Sequence, residues 1–186
     1  DIDLVKKYEN KAHLLVQAID KKINSPLSSS AGRLFDAVSA ILGLCCESEF
    51  HAQAPMLLEA VIDKSEIGIY NYAINGKIIN FDEMFIDIIG DMARKTPISV
   101  ISAKFHNTII DICIRIISIL SEETGIVTAA ISGGTFQNRY ILENLENKFK
   151  NSHIKLISQS KVPSNDGGIA LGQLAIAGKR RELKCV

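Results

Sequence analysis

The chain carries no surplus charge of either sign. Its 186 residues hold 21 Lys and Arg against 21 Asp and Glu, and the sequence pI is about 7.1. A broad nucleic-acid or anionic-membrane surface would show a basic excess, so both partner classes are disfavoured, while a small local phosphate site stays allowed. C-x-x-C spacings are also missing. The four cysteines are Cys45, Cys46, Cys113 and Cys185, the first two adjacent, which excludes a zinc ribbon or a disulfide framework. Reduced thiols in a cytoplasm are the expectation. No apolar run is long enough to cross a membrane, because Asp111 and Arg115 interrupt the longest, over residues 109–120. The start, Asp1-Ile2-Asp3-Leu4, lacks the basic and apolar regions of a signal peptide. It also lacks an initiator Met, so a piece of a longer protein is expected. G-x-S-x-G, Walker and zincin motifs are absent, as are repeats and low-complexity stretches.

What is present is an ordinary globular composition, 47% hydrophobic and 23% charged. Leu4, Val5, Tyr8, Ala12, Leu15, Val16 and Ile19 have helical spacing, with Asp3 placed to cap and Pro26 to stop the helix. Ser28-Ser29-Ser30 offers cap hydroxyls to a helix whose stripe is Leu34, Phe35, Val38, Ile41 and Leu42, stopped by Gly43. A third helix is expected from about Ser48, with Pro55 near its first turn. Residues 67–79 read as a hairpin turning at Asn75-Gly76. Helices are then expected over about 82–94 and from Thr96-Pro97 to Thr124, where Gly125 ends the second.

The last third alternates strand and helix: a buried strand at 126–131, the turn Ser132-Gly133-Gly134, a helix over 136–149, a strand at 154–157, and a helix over 169–179 after Asp166-Gly167-Gly168. That order suggests parallel strands in an α/β layer. The division expected is a helical subdomain with its hairpin at 1–125 and an α/β half-lobe at 126–186. Its unpaired strand edges would invite dimerisation.

Four positions draw attention on residue type alone. Glycines where a strand turns into a helix let a ligand approach the backbone, beside amides suited to phosphate, though such a turn also serves structure alone. Asn138, read as one turn into the following helix, has an amide able to pair with a base or ribose edge. Asp166 either caps the last helix or aims a carboxylate at a metal or a phosphate-bound cation. No second carboxylate cluster completes a metal site. Asp36 either pairs with Arg33 or accepts from ribose hydroxyls. Of the histidines, His13 and His153 read as surface positions, His106 as a buried structural residue, and His51 as a helix-start residue near Glu47 and Glu49. None has the partners of a nucleophile's base, and no catalytic residue is assigned.

Five blocks then fall in order: Ser29-Ser30-Ala31-Gly32-Arg33-Leu34-Phe35-Asp36-Ala37; Gln53-Ala54 with Leu58-Glu59-Ala60; Ala103-Lys104-Phe105-His106-Asn107-Thr108; Ser132-Gly133-Gly134-Thr135-Phe136-Gln137-Asn138-Arg139; and residues 162–173, which hold Asn165-Asp166-Gly167-Gly168. Together they closely resemble the C-terminal end of HypF, the carbamoyltransferases of [NiFe]-hydrogenase maturation. The resemblance implies an α/β fold of mixed helix and strand, the C-terminal lobe of an actin/Hsp70/sugar-kinase-like domain with a largely helical subdomain. That domain is shared with tRNA threonylcarbamoyl-transferring enzymes of the TsaD type and with O-carbamoyltransferases. It implies that Gly133, Gly134 and Asn138 hold an adenine nucleotide, that Asp36 binds its ribose and that Asp166 binds a divalent metal. It further implies carbamoyl-adenylate, made from carbamoyl phosphate and ATP, as the donor, and the C-terminal cysteine of a HypE-like protein as the acceptor.

Two departures stand out. Phe50-His51-Ala52-Gln53 occupies the place where the family commonly has Tyr-Glu-Gly-Gln, and the metal-binding histidines of the family precede this segment. A chain inactive on its own is therefore expected. TsaD-type transfer is the runner-up, opposed by Arg33 where those proteins usually have Glu. A non-catalytic nucleotide-binding or docking module is the third reading, motivated by His51 and Ala52.

Overall fold

The computed structural model describes residues 3–184; Cys185 lies outside them. Among the described residues, those up to Phe105 form one compact unit and those from His106 form a second. The sequence pattern changes character at 125/126. The compact units part earlier, inside a helix that runs through the division.

The first unit opens with α1 (Asp3–Asp20) and α2 (Ala31–Ile41). Ser30 stands at the N-cap of α2, but its hydroxyl makes no cap hydrogen bond; its own N–H instead donates to the Ser28 hydroxyl oxygen at 3.2 Å. The expected stripe of α2 buries Phe35, Val38 and Leu42, and the helix packs on α3 (Gln53–Ala60). Gly43, at φ +73°, turns the chain out of α2 as expected. Helix α3 begins five residues later than the Ser48 expected, because Ala52 at its N-cap is left-handed (φ 61°, ψ 18°) and breaks any earlier turn. Pro55 then falls in the first turn, where its missing N–H costs least.

The hairpin is short. β1 (Ala73–Asn75) pairs antiparallel with β2 (Ile78–Asn80), matching Ala73 to Asn80 and Asn75 to Ile78. Asn75 is therefore a strand residue, and the two-residue turn is Gly76-Lys77, one position beyond the expected Asn75-Gly76. Gly76 has φ +61° and Lys77 does not share that sign, the sign pattern of a type II′ turn, which needs glycine only at its first central position. Helix α4 (Asp82–Ala93) buries Met84 and Ile88.

Helix α5 (Ile98–Thr124) has 27 residues. The Pro97 carbonyl accepts its first bonds, from the Val100 and Ile101 amides, and Gly125 (φ +70°) ends it. In the first unit its leading turns bury Ile101, Ala103 and Phe105. The Phe105 ring meets Phe35 edge-on at 4.8 Å between centroids, and the Ser102 hydroxyl donates to the Leu58 carbonyl at 2.6 Å.

In the second unit β3 (Thr128–Ala130) and β4 (Lys155–Ile157) pair in parallel, Ala129 opposite Leu156. Main-chain bonds from Lys155 to Val127 and from Ile131 to Ile157 extend the ladder at each end. The crossover is α6 (Arg139–Phe149), which buries Ile141, Leu145 and Phe149 at i, i+4 and i+8, one helical face. Helix α7 (Ile169–Lys184) runs five residues past the expected end at 179, since Arg, Glu, Leu and Lys there are good helix formers.

Candidate functional site

The turn after β3 is built around a backbone that only glycine adopts easily. Gly133 has φ 107° and ψ 166°, a region nearly closed to residues with a side chain. Its N–H donates to the Ser164 carbonyl at 2.8 Å, which ties the turn to the loop leading to Asp166. A short 3-10 turn follows, Gly134–Gln137. Among the described residues the Gly134 and Thr135 amides have no backbone acceptor, as expected of the first donors of such a turn. A Cβ on Gly133 or Gly134 would meet nothing within 4 Å. The main chain here is open to an approaching ligand.

Asn138 is not one turn inside a helix, as the sequence suggested. It sits between the 3-10 turn and α6, as the N-cap of α6, and its Oδ1 accepts from the Ile141 N–H at 3.0 Å. Its Nδ2 lies 3.0 Å from Nε2 of His106, which is fully buried. The helix read as 136–149 is thus a 3-10 turn and an α-helix joined at the asparagine. An asparagine preceding the apolar face of Ile141 and Leu145 is itself a cap signal. The His106 contact spans 32 residues, and no local pattern announces it. Beside it, the Tyr140 hydroxyl donates to Asn107 Oδ1 at 2.8 Å, and the Tyr140 ring stands edge-on to His106 at 5.9 Å.

Asp166 begins a second 3-10 turn, Asp166–Gly168. The cap of this turn is Asn165, whose Oδ1 accepts from the Gly167 N–H at 3.0 Å. Asp166 itself is exposed. The glycines after it answer to crowding: a Cβ on Gly168 would lie 2.8 Å from the Pro163 carbonyl oxygen.

Residues 1–173 match the family described as carbamoyltransferase, Kae1-like domain, second subdomain. The chain belongs to the HypF carbamoyltransferase family. It is 33% identical over 177 residues to the probable carbamoyltransferase HypF of Methanocaldococcus jannaschii, covering 92% of this chain and 23% of that protein. It is 31% identical over 166 residues to the carbamoyltransferase HypF of Synechocystis, covering 87% of this chain and 21% of that protein. A full-length HypF, solved in the phosphate- and nucleotide-bound form, superposes with a TM-score of 0.87 at 38% identity, over 96% of this chain and 30% of that one. The HypF of T. kodakarensis shares the fold, with a TM-score of 0.76 at 20% identity, over 91% of this chain and 22% of that one. The chain therefore spans about a quarter of the length of the curated HypF proteins it matches. The mixed helix-and-strand fold expected from the sequence is the fold of these HypF structures.

The resemblance implied a divalent metal at Asp166. Among the described residues no three His, Cys, Asp or Glu side chains gather where they could hold an ion. The described residues therefore do not by themselves make a metal centre.

Asp36 stands in the first unit. Its Oδ2 lies 2.7 Å from Arg33 Nη2, one helical turn earlier, the ion pair that the spacing allowed. His13, His51 and His153 are exposed. Cys45, Cys46 and Cys113 are free, and burial pushes the Cys113 thiol up, away from the reactive thiolate.

Ala52 takes the left-handed conformation that the glycine common in HypF proteins would adopt freely. Ala52→Gly is expected to raise stability by about 1 kcal/mol, read by urea denaturation. An unchanged or lower midpoint would mean that the alanine is unstrained.

Proposed function

We propose that this chain is the nucleotide-holding part of a protein that transfers a carbamoyl group from carbamoyl-adenylate to the C-terminal cysteine of a HypE-like acceptor. The observation that carries the reading is the family match over residues 1–173, which runs through both glycine turns. The open main chain at Gly133 and Gly134 fits it. On this reading the amides of Gly134 and Thr135 face a phosphate of the nucleotide, Asn138 holds the turn's end, and Asp36 accepts from ribose hydroxyls. Asp166 contributes a carboxylate to a divalent metal.

In the transfer the acceptor's thiolate attacks the carbamoyl carbon. A C–S bond forms, the bond from that carbon to the phosphate oxygen breaks, and AMP leaves with the electron pair. The chain's own residues bind and orient the adenylate, which is where most of an enforced-proximity advantage arises. Among the described residues no nucleophile or general base is assigned and no metal cluster is complete, so the 186 residues alone are inactive on this account. The setting proposed is the cytoplasm; among the described residues no helix is long and apolar enough to cross a membrane.

The test is transfer of labelled carbamoyl from carbamoyl phosphate and ATP to the acceptor's cysteine. We expect none from the 186 residues alone, and transfer by a full-length protein that carries them. Labelling by the 186 residues alone would overturn the inactivity, and a full-length protein that leaves the acceptor unlabelled would overturn the function.

A further inference from the structure

We infer that His106 is a positioning residue, a neutral imidazole protonated on Nδ1 whose Nε2 accepts from the Asn138 amide and fixes the orientation of that side chain. The inference follows from which atoms can only donate. The Ile141 N–H is a donor with no alternative role, so the end of the Asn138 side chain 3.0 Å from it must be the carbonyl oxygen. The other end is then the NH2 group, also a donor, and it lies 3.0 Å from His106 Nε2. Two donors cannot share a hydrogen bond. Nε2 must be bare, and the ring proton sits on Nδ1.

The surroundings hold the ring in place. His106 is fully buried on α5. Tyr140, two residues beyond Asn138, stands edge-on to the imidazole and is itself anchored through its hydroxyl to Asn107. Two consecutive positions of α5 therefore grip the first residues of α6, one through Asn138 and one through Tyr140.

With one hydrogen of the Asn138 NH2 given to His106 and one lone pair of Oδ1 given to Ile141, the amide keeps one donor and one acceptor site in a fixed direction. The consequence for binding rests on the proposed function: if the turn at 133–138 holds a nucleotide, His106 presets the asparagine for it. An asparagine free to rotate would have to be ordered at each binding event.

Two-bond 15N–1H correlation spectra of the full chain read the tautomer without any substitution. A ring protonated on Nδ1 is expected; a ring protonated on Nε2 overturns the inference. Substitution supplies the second measurement. His106→Gln keeps an acceptor near Asn138 and should retain its slowly exchanging Ile141 amide, whereas His106→Leu removes the acceptor and should lose that protection. Equal protection in both variants overturns the positioning role. An ATP titration adds the functional readout, with His106→Leu expected to weaken binding about tenfold and His106→Gln to restore most of it. ATP binding by the wild-type chain that His106→Leu leaves unchanged also counts against the role. A wild-type chain that binds no ATP instead overturns the nucleotide reading, and the tautomer alone then decides for or against His106.

Discussion

Asp91→Ala lowers the stability of the first unit by about 3 kcal/mol, measured by urea denaturation. The carboxylate sits near the end of α4 and is 5% exposed. Its Oδ2 accepts from the Tyr70 hydroxyl at 2.8 Å and from the Lys104 ammonium at 2.7 Å, and its Oδ1 accepts from Arg94 at 2.5 Å. Lys104 also lies 4.2 Å from the centre of the Tyr70 ring. Removing the acid deletes three hydrogen bonds at once and takes the carboxylate away from a largely buried ammonium, which costs more than an exposed pair would.

The same network sets a pH dependence. Burial pushes the Asp91 carboxyl up, but the bonds from Lys104, Arg94 and Tyr70 outweigh it and hold the group at about 2, below its ordinary 3.8. Burial and the neighbouring Asp91 push the Tyr70 phenol up, so it remains a donor. A carboxyl depressed by folding stabilises the native state above its unfolded pKa. Its contribution, roughly 2 kcal/mol, is therefore present above about pH 4 and lost as pH falls toward 2. In Asp91→Ala that part of the acid loss should vanish. A variant with the wild-type acid profile would show that Asp91 is not the group responsible.

Gly133→Ala destabilises the second unit by about 2 kcal/mol, because φ 107° with ψ 166° is closed to an alanine at little less than that strain. Gly134→Ala is the informative partner. Its φ is not positive and its Cβ would meet no atom within 4 Å, so its stability should stay within about 0.5 kcal/mol of wild type. On the proposed function its methyl group nevertheless stands in the space a phosphate uses. Unfolding curves should then separate the two variants, while an ATP titration should weaken in both. Equal destabilisation would place a packing demand at Gly134 that the geometry does not contain. Undiminished ATP binding by a stable Gly134→Ala would move the ligand elsewhere.

Much of the fold was legible because its boundaries are made by local backbone chemistry. Gly43 and Gly125 end their helices in left-handed conformations, and Pro97 with Gly125 brackets α5 almost as read. The parallel pair β3 and β4 followed from a strand, helix, strand order that allows little else. Errors arose where a local signal had two solutions. Asn75-Gly76 fits a turn with two positive φ values, but pairing Asn75 with Ile78 needs only one, at Gly76. Ser48 resembles a cap, yet left-handed Ala52 postpones α3 to Gln53.

The site was legible as a set of glycines and less so as geometry. Gly133 has the unusual backbone its residue type suggested, and Gly134 lies open. Asn138 was singled out but placed inside the helix it caps. Asp166 was read as a possible cap of the last helix, and the 3-10 turn that precedes that helix, capped by Asn165, was not foreseen. What escaped were contacts distant in sequence. His106 and Asn138 are 32 residues apart, and Asp91 and Tyr70 are 21 apart. Neither pairing has a period or spacing that a single sequence displays.

The most direct test of the central claim is an ATP titration of the full chain followed through its backbone amide resonances. The account predicts saturable shifts that are largest at Gly133, Gly134 and Thr135, the amides at the open end of the turn. A folded chain in which these three resonances stay fixed at saturating ATP, or in which the largest shifts fall outside residues 132–138 and away from Asp36, would contradict it.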